Sequence, residues 1–108
     1  MIWRVDYTAD ALWDLKNIFD YIDLVLLESA TAANQTERIM DAAETLDQMP
    51  MRHKLYDKEP WRSRGLRVLP VDNYVIFYLP DEHKHIVSII RIMYGGRGIG
   101  RHLSETEE

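Results

Sequence analysis

The chain has 108 residues and no cysteine, with 46% hydrophobic and 29% charged residues, which is the composition of one ordinary globular domain. The absence of cysteine excludes a disulfide scaffold and a thiolate metal site, no apolar run approaches the roughly 18–20 residues that span a bilayer, and the N-terminus lacks the apolar core of a signal peptide. We therefore expect a single domain over residues 1–108, located in the cytoplasm and making no contact with a membrane.

The net charge of −5 is distributed unevenly along the chain. Residues 1–51 carry three basic and ten acidic side chains, a net charge of −7. Residues 52–102 carry ten basic and five acidic side chains, a net charge of +5, and the last six residues add three glutamates. A local positive field can attract phosphate even when the whole chain is acidic. The second half is therefore where we expect a macromolecular target to bind.

The first half of the chain predicts one strand and two helices. Residues 2–7 alternate between apolar and polar, as a strand with one buried face does. Thr8 is suited to cap a helix that ends near Leu27, and a second helix follows a short connection and ends near Met49, before a proline. Because the connection is short, the helices form an antiparallel hairpin, and their apolar stripes must pack on a sheet.

Residues 64–97 predict the rest of the sheet. Three strands rich in Val, Ile, Tyr and Phe are separated by turns at 71–73 and 80–85. The predicted order is β-α-α-β-β-β, an α+β fold in which an antiparallel sheet carries the two-helix hairpin on one face. Residues 51–63 are expected to form a polar loop, and residues from about 98 to 108 a flexible tail.

Pairing Leu69 with Tyr74 and Leu79 with Ile86 leaves connections of even length, which divide the strand residues into two faces. The first face is almost wholly apolar and is expected to meet the helices: Leu66, Val68, Val75, Phe77, Leu79, Ile86, Ser88, Ile90 and Ile92. The second is expected to form a basic, aromatic surface: Arg67, Leu69, Tyr74, Ile76, Tyr78, Val87, Ile89, Arg91 and Met93. This register places Arg91 opposite Tyr74. A bulge at Pro70 would move Arg67 to the other face, so the face of Arg67 stays open.

Two segments resemble a known family. EPWRSRGLRVLPVDNYVIFYLPDE (59–82) and IIRIMYGGRGI (89–99) resemble the RelE/ParE superfamily of bacterial type II toxins, and the likeness extends over nearly the whole chain. The resemblance implies a small growth-inhibiting toxin that a cognate antitoxin neutralises by wrapping its surface. RelE-like members cut mRNA, usually in the ribosomal A site, without a metal. ParE-like members instead block DNA gyrase and cleave nothing themselves.

The resemblance also implies catalytic residues, should the protein be a nuclease. Arg67 and Arg97 would stabilise the charge on the phosphorane, and Tyr94 would orient the reacting groups or exchange a proton. Three positions depart from the family pattern. Tyr94 stands where His is common, Val75 stands where RelE-like nucleases usually place an arginine, and Gly98 replaces an acid. These departures weigh against nuclease chemistry.

Four further residues are candidates for binding a nucleic acid or another target. Arg64 and Arg91 would contact phosphate, and the rings of Tyr74 and Tyr78 would stack on unpaired bases. For the tyrosines the alternative is a role in the core, and for Arg91 it is an ion pair with a helix carboxylate. The HKH segment at residues 83–85 has no third ligand nearby, so no metal or other cofactor is expected.

Three functions are compatible with these residues. The first is a type II toxin that acts as a metal-independent mRNA endoribonuclease, with ribosome-bound mRNA as its target. The second is a ParE-like inhibitor that binds DNA gyrase, and the third is an inactive relative that binds only its antitoxin.

Overall fold

The computed structural model describes residues 2–95, which form one four-stranded sheet with helices packed against it. The first half of the chain supplies strand β1 (Arg4–Tyr7) and helices α1 (Ala9–Asp20) and α2 (Ser29–Glu44). The second half supplies the short helix α3 (Trp61–Arg64) and strands β2 (Arg67–Val71), β3 (Tyr74–Asp81) and β4 (Ile86–Tyr94). This order confirms the predicted α+β fold and adds α3 to it. The tail predicted from residue 98 lies outside the described residues.

Thr8 joins the first helix to the sheet. Its Oγ accepts a hydrogen bond of 3.1 Å from the backbone N–H of Ala11, which caps α1 as the sequence predicts. The same hydroxyl donates a bond of 3.0 Å to the backbone oxygen of Ile90 in β4. After α1 the chain continues through a π-helical turn, Tyr21–Val25, before it reverses into α2. Among residues 2–95 no helix is both long and apolar enough to cross a bilayer.

The sheet has the strand order β1-β4-β3-β2 and is mixed. The three C-terminal strands form the predicted antiparallel meander. β1, however, lies parallel to β4, with Arg4 opposite Ile86 and Tyr7 opposite Ile89. This pairing is possible because the helical hairpin and the meander together carry the chain back to the starting end of β1. The prediction of a wholly antiparallel sheet is therefore wrong for β1. The sequence pattern of one short strand does not specify which strand it pairs with.

The strand residues divide into two faces as predicted as far as Ile89, but the prediction of which face meets the helices is wrong. The helices cover the second face, where Ile76, Tyr78, Val87 and Ile89 are buried against α1 and α2. The first face packs under residues 55–66, where it buries Trp61, Leu66, Val68, Phe77 and Ile90. Both faces are therefore covered. The segment predicted as a polar loop hides two aromatic anchors, Tyr56 and Trp61, among its charges.

The register settles the alternative at Pro70 and differs from the prediction in β4. β2 and β3 pair regularly through Pro70 to a turn at residues 72 and 73, so there is no bulge at Pro70. The bulge lies in β4 instead: Ile90 has no partner in β3, since Tyr78 is opposite Ile89 and Phe77 opposite Arg91. Arg91 is therefore not opposite Tyr74, whose partner is residue 94. Beyond the bulge the faces exchange, because one extra residue reverses the alternation.

Candidate target-binding surfaces

Arg67, a predicted catalytic residue, is used to fasten the chain to the sheet. Its side chain is half-buried in β2, and Nη1 donates hydrogen bonds to the backbone oxygens of Met51 (3.2 Å) and His53 (2.7 Å). Beside it in the sheet, the fully buried Tyr78 donates a bond of 2.6 Å from its hydroxyl to the backbone oxygen of Pro50. Burial raises the pKa of Tyr78 to about 12. Tyr78 therefore lies in the core, which is the alternative role that the sequence left open.

The structure does not bring Arg67 and Tyr94 together. Arg67 is opposite Tyr78 and Tyr94 is opposite Tyr74, so they lie on the two strands that flank β3. Their partners are four residues apart, about 13 Å along a strand at roughly 3.3 Å per residue. The third predicted catalytic residue, Arg97, lies outside the described residues. The described residues therefore do not assemble the predicted cleavage site.

Arg91 forms an ion pair with a helix carboxylate, the alternative that the sequence left open. Its Nε lies 2.7 Å from Oδ2 of Asp14 in α1, and its Nη2 lies 2.9 Å from Oδ1. Asp14 is buried and also accepts a bond of 2.9 Å from the backbone N–H of Ile92. One carboxylate thus joins α1 to β4 through three hydrogen bonds, so this ion pair is primarily structural.

A groove of about 840 Å³ opens beside this ion pair, between the end of α1 and the end of β4. We call it the tyrosine groove, after Tyr21, Tyr74 and Tyr94, which line it. The rings of Tyr74 and Tyr94 meet edge to face with their centres 5.9 Å apart, while Tyr94 is 63% exposed. Burial, and then the neighbouring Tyr94 and Tyr21 hydroxyls, raise the pKa of Tyr74. Tyr74 therefore stays protonated at neutral pH and is a poor base.

An apolar tip adjoins the tyrosine groove where the helical hairpin turns. It consists of residues 24–27, all large aliphatic side chains that are at least half exposed, and Leu27 reaches 81%. Leu26 also lines the groove, so the two surfaces are continuous. Exposed apolar patches of this kind mark interaction sites, and π-helical turns such as the one beneath it are frequent at functional sites. The run of four aliphatic residues was the sequence signal, but helical periodicity alone did not identify it.

A basic surface lies on the side of the sheet opposite the tyrosine groove. It is formed by the segment 54–64, which we call the basic loop. It carries four exposed cations, Lys54, Lys58, Arg62 and Arg64. None of them forms a salt bridge with another residue in the described range 2–95, whereas four other basic residues there do. Sequence analysis identified only Arg64, because the other three were assigned to an unstructured polar loop.

The basic loop is anchored by aromatic residues. Trp61 is buried against the sheet, and the guanidinium carbon of Arg64 lies 4.9 Å from the centre of its ring. Tyr56 meets Phe77 edge to face. Lys54, Tyr56 and Arg62 line a groove of about 620 Å³ between the loop and the sheet.

These features belong to a recognisable family. The sequence matches the family model described as the ParE toxin of the type II toxin–antitoxin system parDE, over residues 5–98. The chain belongs to the ParE toxin family. It is thus a toxin of a type II toxin–antitoxin system, which confirms the predicted membership of the RelE/ParE superfamily. No curated protein sequence matches the chain significantly.

Solved structures agree with the family assignment at the level of the fold. The match to the chromosomal ParDE toxin–antitoxin system from P. aeruginosa covers 88% of this chain and 98% of the matched chain, with a TM-score of 0.72 and 20% sequence identity. For the RelBE2 toxin–antitoxin complex from Mycobacterium tuberculosis these values are 87%, 99%, 0.62 and 21%. For a mutant of the E. coli toxin RelE in the free state they are 98%, 94%, 0.65 and 13%.

Proposed function

We propose that this toxin inhibits DNA gyrase by binding to it, as the resemblance to ParE implies, and does not cleave RNA itself. Metal-free cleavage requires a cation, a base and an acid around one phosphate. The observation that carries the proposal is the separation of Arg67 from Tyr94, together with the use of the Arg67 guanidinium by two backbone oxygens. A binding protein needs no such constellation, but it does need exposed surface, and the apolar tip and the basic loop supply it.

The proposed regulator is a cognate antitoxin that covers the apolar tip. Two of the structures similar to this chain are toxin–antitoxin assemblies, and residues 24–27 form an apolar surface that a bound segment would remove from water. A partner that folds on binding suits such a surface. The proposed location of the pair is the cytoplasm, where gyrase acts.

The decisive experiment measures supercoiling of relaxed plasmid DNA by purified gyrase at increasing toxin concentration. We expect supercoiling to be lost as toxin is added and to return when the cognate antitoxin is added in excess. Undisturbed supercoiling at toxin concentrations well above that of gyrase would reject the proposal. If growth is also unaffected by induction of the toxin, the inactive relative is the correct description.

Cleavage of mRNA is the second candidate, and the groove lined by Lys54 and Arg62 favours it, since two cations beside a groove can hold the phosphates of an RNA strand. Primer extension on cellular mRNA after induction separates the two candidates. Shortened transcripts that depend on Arg67 and Arg97, tested by Arg67→Ala with Arg97→Ala, would support cleavage. Intact transcripts during growth arrest would exclude it.

A further inference from the structure

We infer that the basic loop contacts the phosphate backbone of duplex DNA while the toxin is bound to gyrase. The inference rests on the proposed function, since gyrase is the protein that presents duplex DNA to the toxin. It adds a second contact to that function: the toxin would bind the enzyme and the DNA that the enzyme holds.

The first reason is the charge of the basic loop. Lys54, Lys58, Arg62 and Arg64 are exposed and form no salt bridge within residues 2–95. Of the two carboxylates in the segment, that of Glu59 accepts a hydrogen bond of 2.9 Å from the backbone N–H of Ser63. The hydrogen bonds with Ser63, and then the charge of Arg62, lower the pKa of Glu59. The four cations outnumber the two carboxylates of Asp57 and Glu59, so the loop keeps a net charge of +2.

The second reason is that the loop is held in place before any partner arrives. The N–H of Tyr56 donates to the oxygen of Leu66 at 2.8 Å, and the N–H of Val68 donates to the oxygen of Lys54 at 3.1 Å. Trp61 is buried beneath the loop. Because this backbone is already ordered, the four cations lose less conformational entropy on binding than they would on a flexible segment.

The third reason distinguishes duplex DNA from single-stranded RNA. Single strands are bound by exposed aromatic rings that stack on unpaired bases. Neither aromatic residue of the basic loop has a fully exposed ring, since Trp61 is buried and Tyr56 is half-buried against Phe77. Phosphate contacts to a duplex require only positive side chains at a suitable spacing. The loop provides those and lacks a fully exposed stacking ring.

The fourth reason is the direction from which DNA can approach. Residues 8–50, which form the helical hairpin, carry a net charge of −7, and residues 51–67 carry +4. The acidic hairpin repels DNA, whereas the loop attracts it. With only four phosphate contacts, the free toxin should bind DNA weakly, and the contact becomes effective when gyrase raises the local concentration of DNA.

The inference is tested with a fluorescein-labelled DNA duplex and the isolated toxin, by anisotropy over a series of salt concentrations. Four phosphate contacts predict a slope of log K against log salt of about −3.6, at roughly −0.9 per contact. In the variant Lys58→Gln with Arg62→Gln, which leaves Arg64 on Trp61, the slope should fall to about half, and binding at low salt should weaken at least tenfold.

A matched control carries Lys16→Gln with Arg38→Gln, which removes the same charge from the helical hairpin. We expect its salt slope to equal that of the wild type. A single-stranded RNA of equal length and a poly-glutamate peptide complete the comparison. Tighter binding of either than of the duplex, equal effects of the two variants, or no duplex binding at low salt would each overturn the inference.

The supercoiling assay separates this inference from the proposed function. If the wild type inhibits gyrase and the loop variant inhibits it equally well, the DNA contact is refuted while the proposed function stands. If the wild type does not inhibit gyrase, the proposed function fails whatever the anisotropy shows. Inhibition that weakens at least tenfold in the loop variant, with thermal unfolding unchanged, supports both.

Discussion

At the scale of single residues, the ion pair between Asp14 and Arg91 links helix α1 to strand β4. Both side chains are largely withdrawn from water, at 10% and 19% exposure, so their charges were desolvated when the protein folded. Such a pair is retained only if its geometry is good, because an isolated buried charge is costly. Two parallel bonds to the guanidinium and a third from the Ile92 N–H meet that condition.

Asp14→Ala should therefore destabilise the toxin by about 3 kcal/mol or more, since it leaves the buried N–H of Ile92 without its acceptor and removes the carboxylate beside Arg91. Urea denaturation should show a lower midpoint with an unchanged slope. The double variant Asp14→Ala with Arg91→Met should recover part of the loss. A cost below about 1 kcal/mol for Asp14→Ala would contradict the structural role assigned to this pair.

His53 should make the stability of the toxin depend on pH. Burial, and then the neighbouring Arg52, lower the pKa of His53 below its usual value, so the unfolded chain binds a proton more readily than the folded protein does. Stability should therefore fall as the pH drops below about 6.5. The pKa values of Asp72 and Glu59 are also lowered. The stability that these two carboxylates contribute is therefore lost only at more acidic pH, below about pH 4.5.

The measurement is thermal unfolding of the wild type and of His53→Gln between pH 8 and pH 5. The unfolding temperature of the wild type should decrease relative to its value at pH 8, and the decrease should be smaller in His53→Gln. An identical decrease in the two proteins would show that His53 does not carry this dependence.

At the scale of elements, the helical hairpin contributes buried residues to the core but leaves its apolar turn exposed. The second helix of the hairpin was predicted from periodicity, and its inward residues are buried as expected, with Ala32, Ile39, Ala43 and Leu46 inaccessible to solvent. The same hairpin nevertheless leaves residues 24–27 in water after its π-helical turn. Stability alone does not account for that exposure, which is why we assign the tip to a partner.

The variant Leu24→Ser with Leu27→Ser tests this assignment. Because both side chains are mostly exposed, the free energy of unfolding should change by less than about 0.5 kcal/mol. Binding of the cognate antitoxin should weaken by roughly 2 kcal/mol, about thirtyfold in Kd. Isothermal titration calorimetry measures the affinity, with Ile2→Ser as the control, since Ile2 is similarly exposed but lies before β1 and outside the helical hairpin. Unchanged affinity would place the antitoxin elsewhere.

At the scale of the whole molecule, the charges are separated into an acidic helical side and a basic loop side. If the loop side contributes to inhibition by contacting DNA, inhibition of gyrase should weaken as the salt concentration rises. Binding releases counterions from the DNA, and this release is less favourable at higher salt. Supercoiling assays between roughly 50 and 200 mM salt test this, because phosphate contacts lose most of their affinity over that range. Salt-independent inhibition would assign the whole effect to protein–protein contact.

The sequence predicted the order of the elements and the charge separation, because periodicity and composition are local properties of the chain. It predicted the wrong face of the meander for the contact with the helices. Both faces are apolar, and the choice depends on Trp61 and Tyr56, which fold back from a segment that reads as polar. The bulge at Ile90 was also missed, since an extra residue in a strand leaves no clear pattern. These two features explain why the helices cover the face of Tyr78 and why Arg91 is opposite Phe77 and not Tyr74.

The parallel pairing of β1 with β4 has a consequence for the synthesis of the toxin. Arg4 precedes its partner in the sheet, Ile86, by 82 residues along the chain. Until β4 leaves the ribosome, β1 has no strand to bind, and the fold cannot close. A nascent toxin therefore completes its sheet only after β4 has been made.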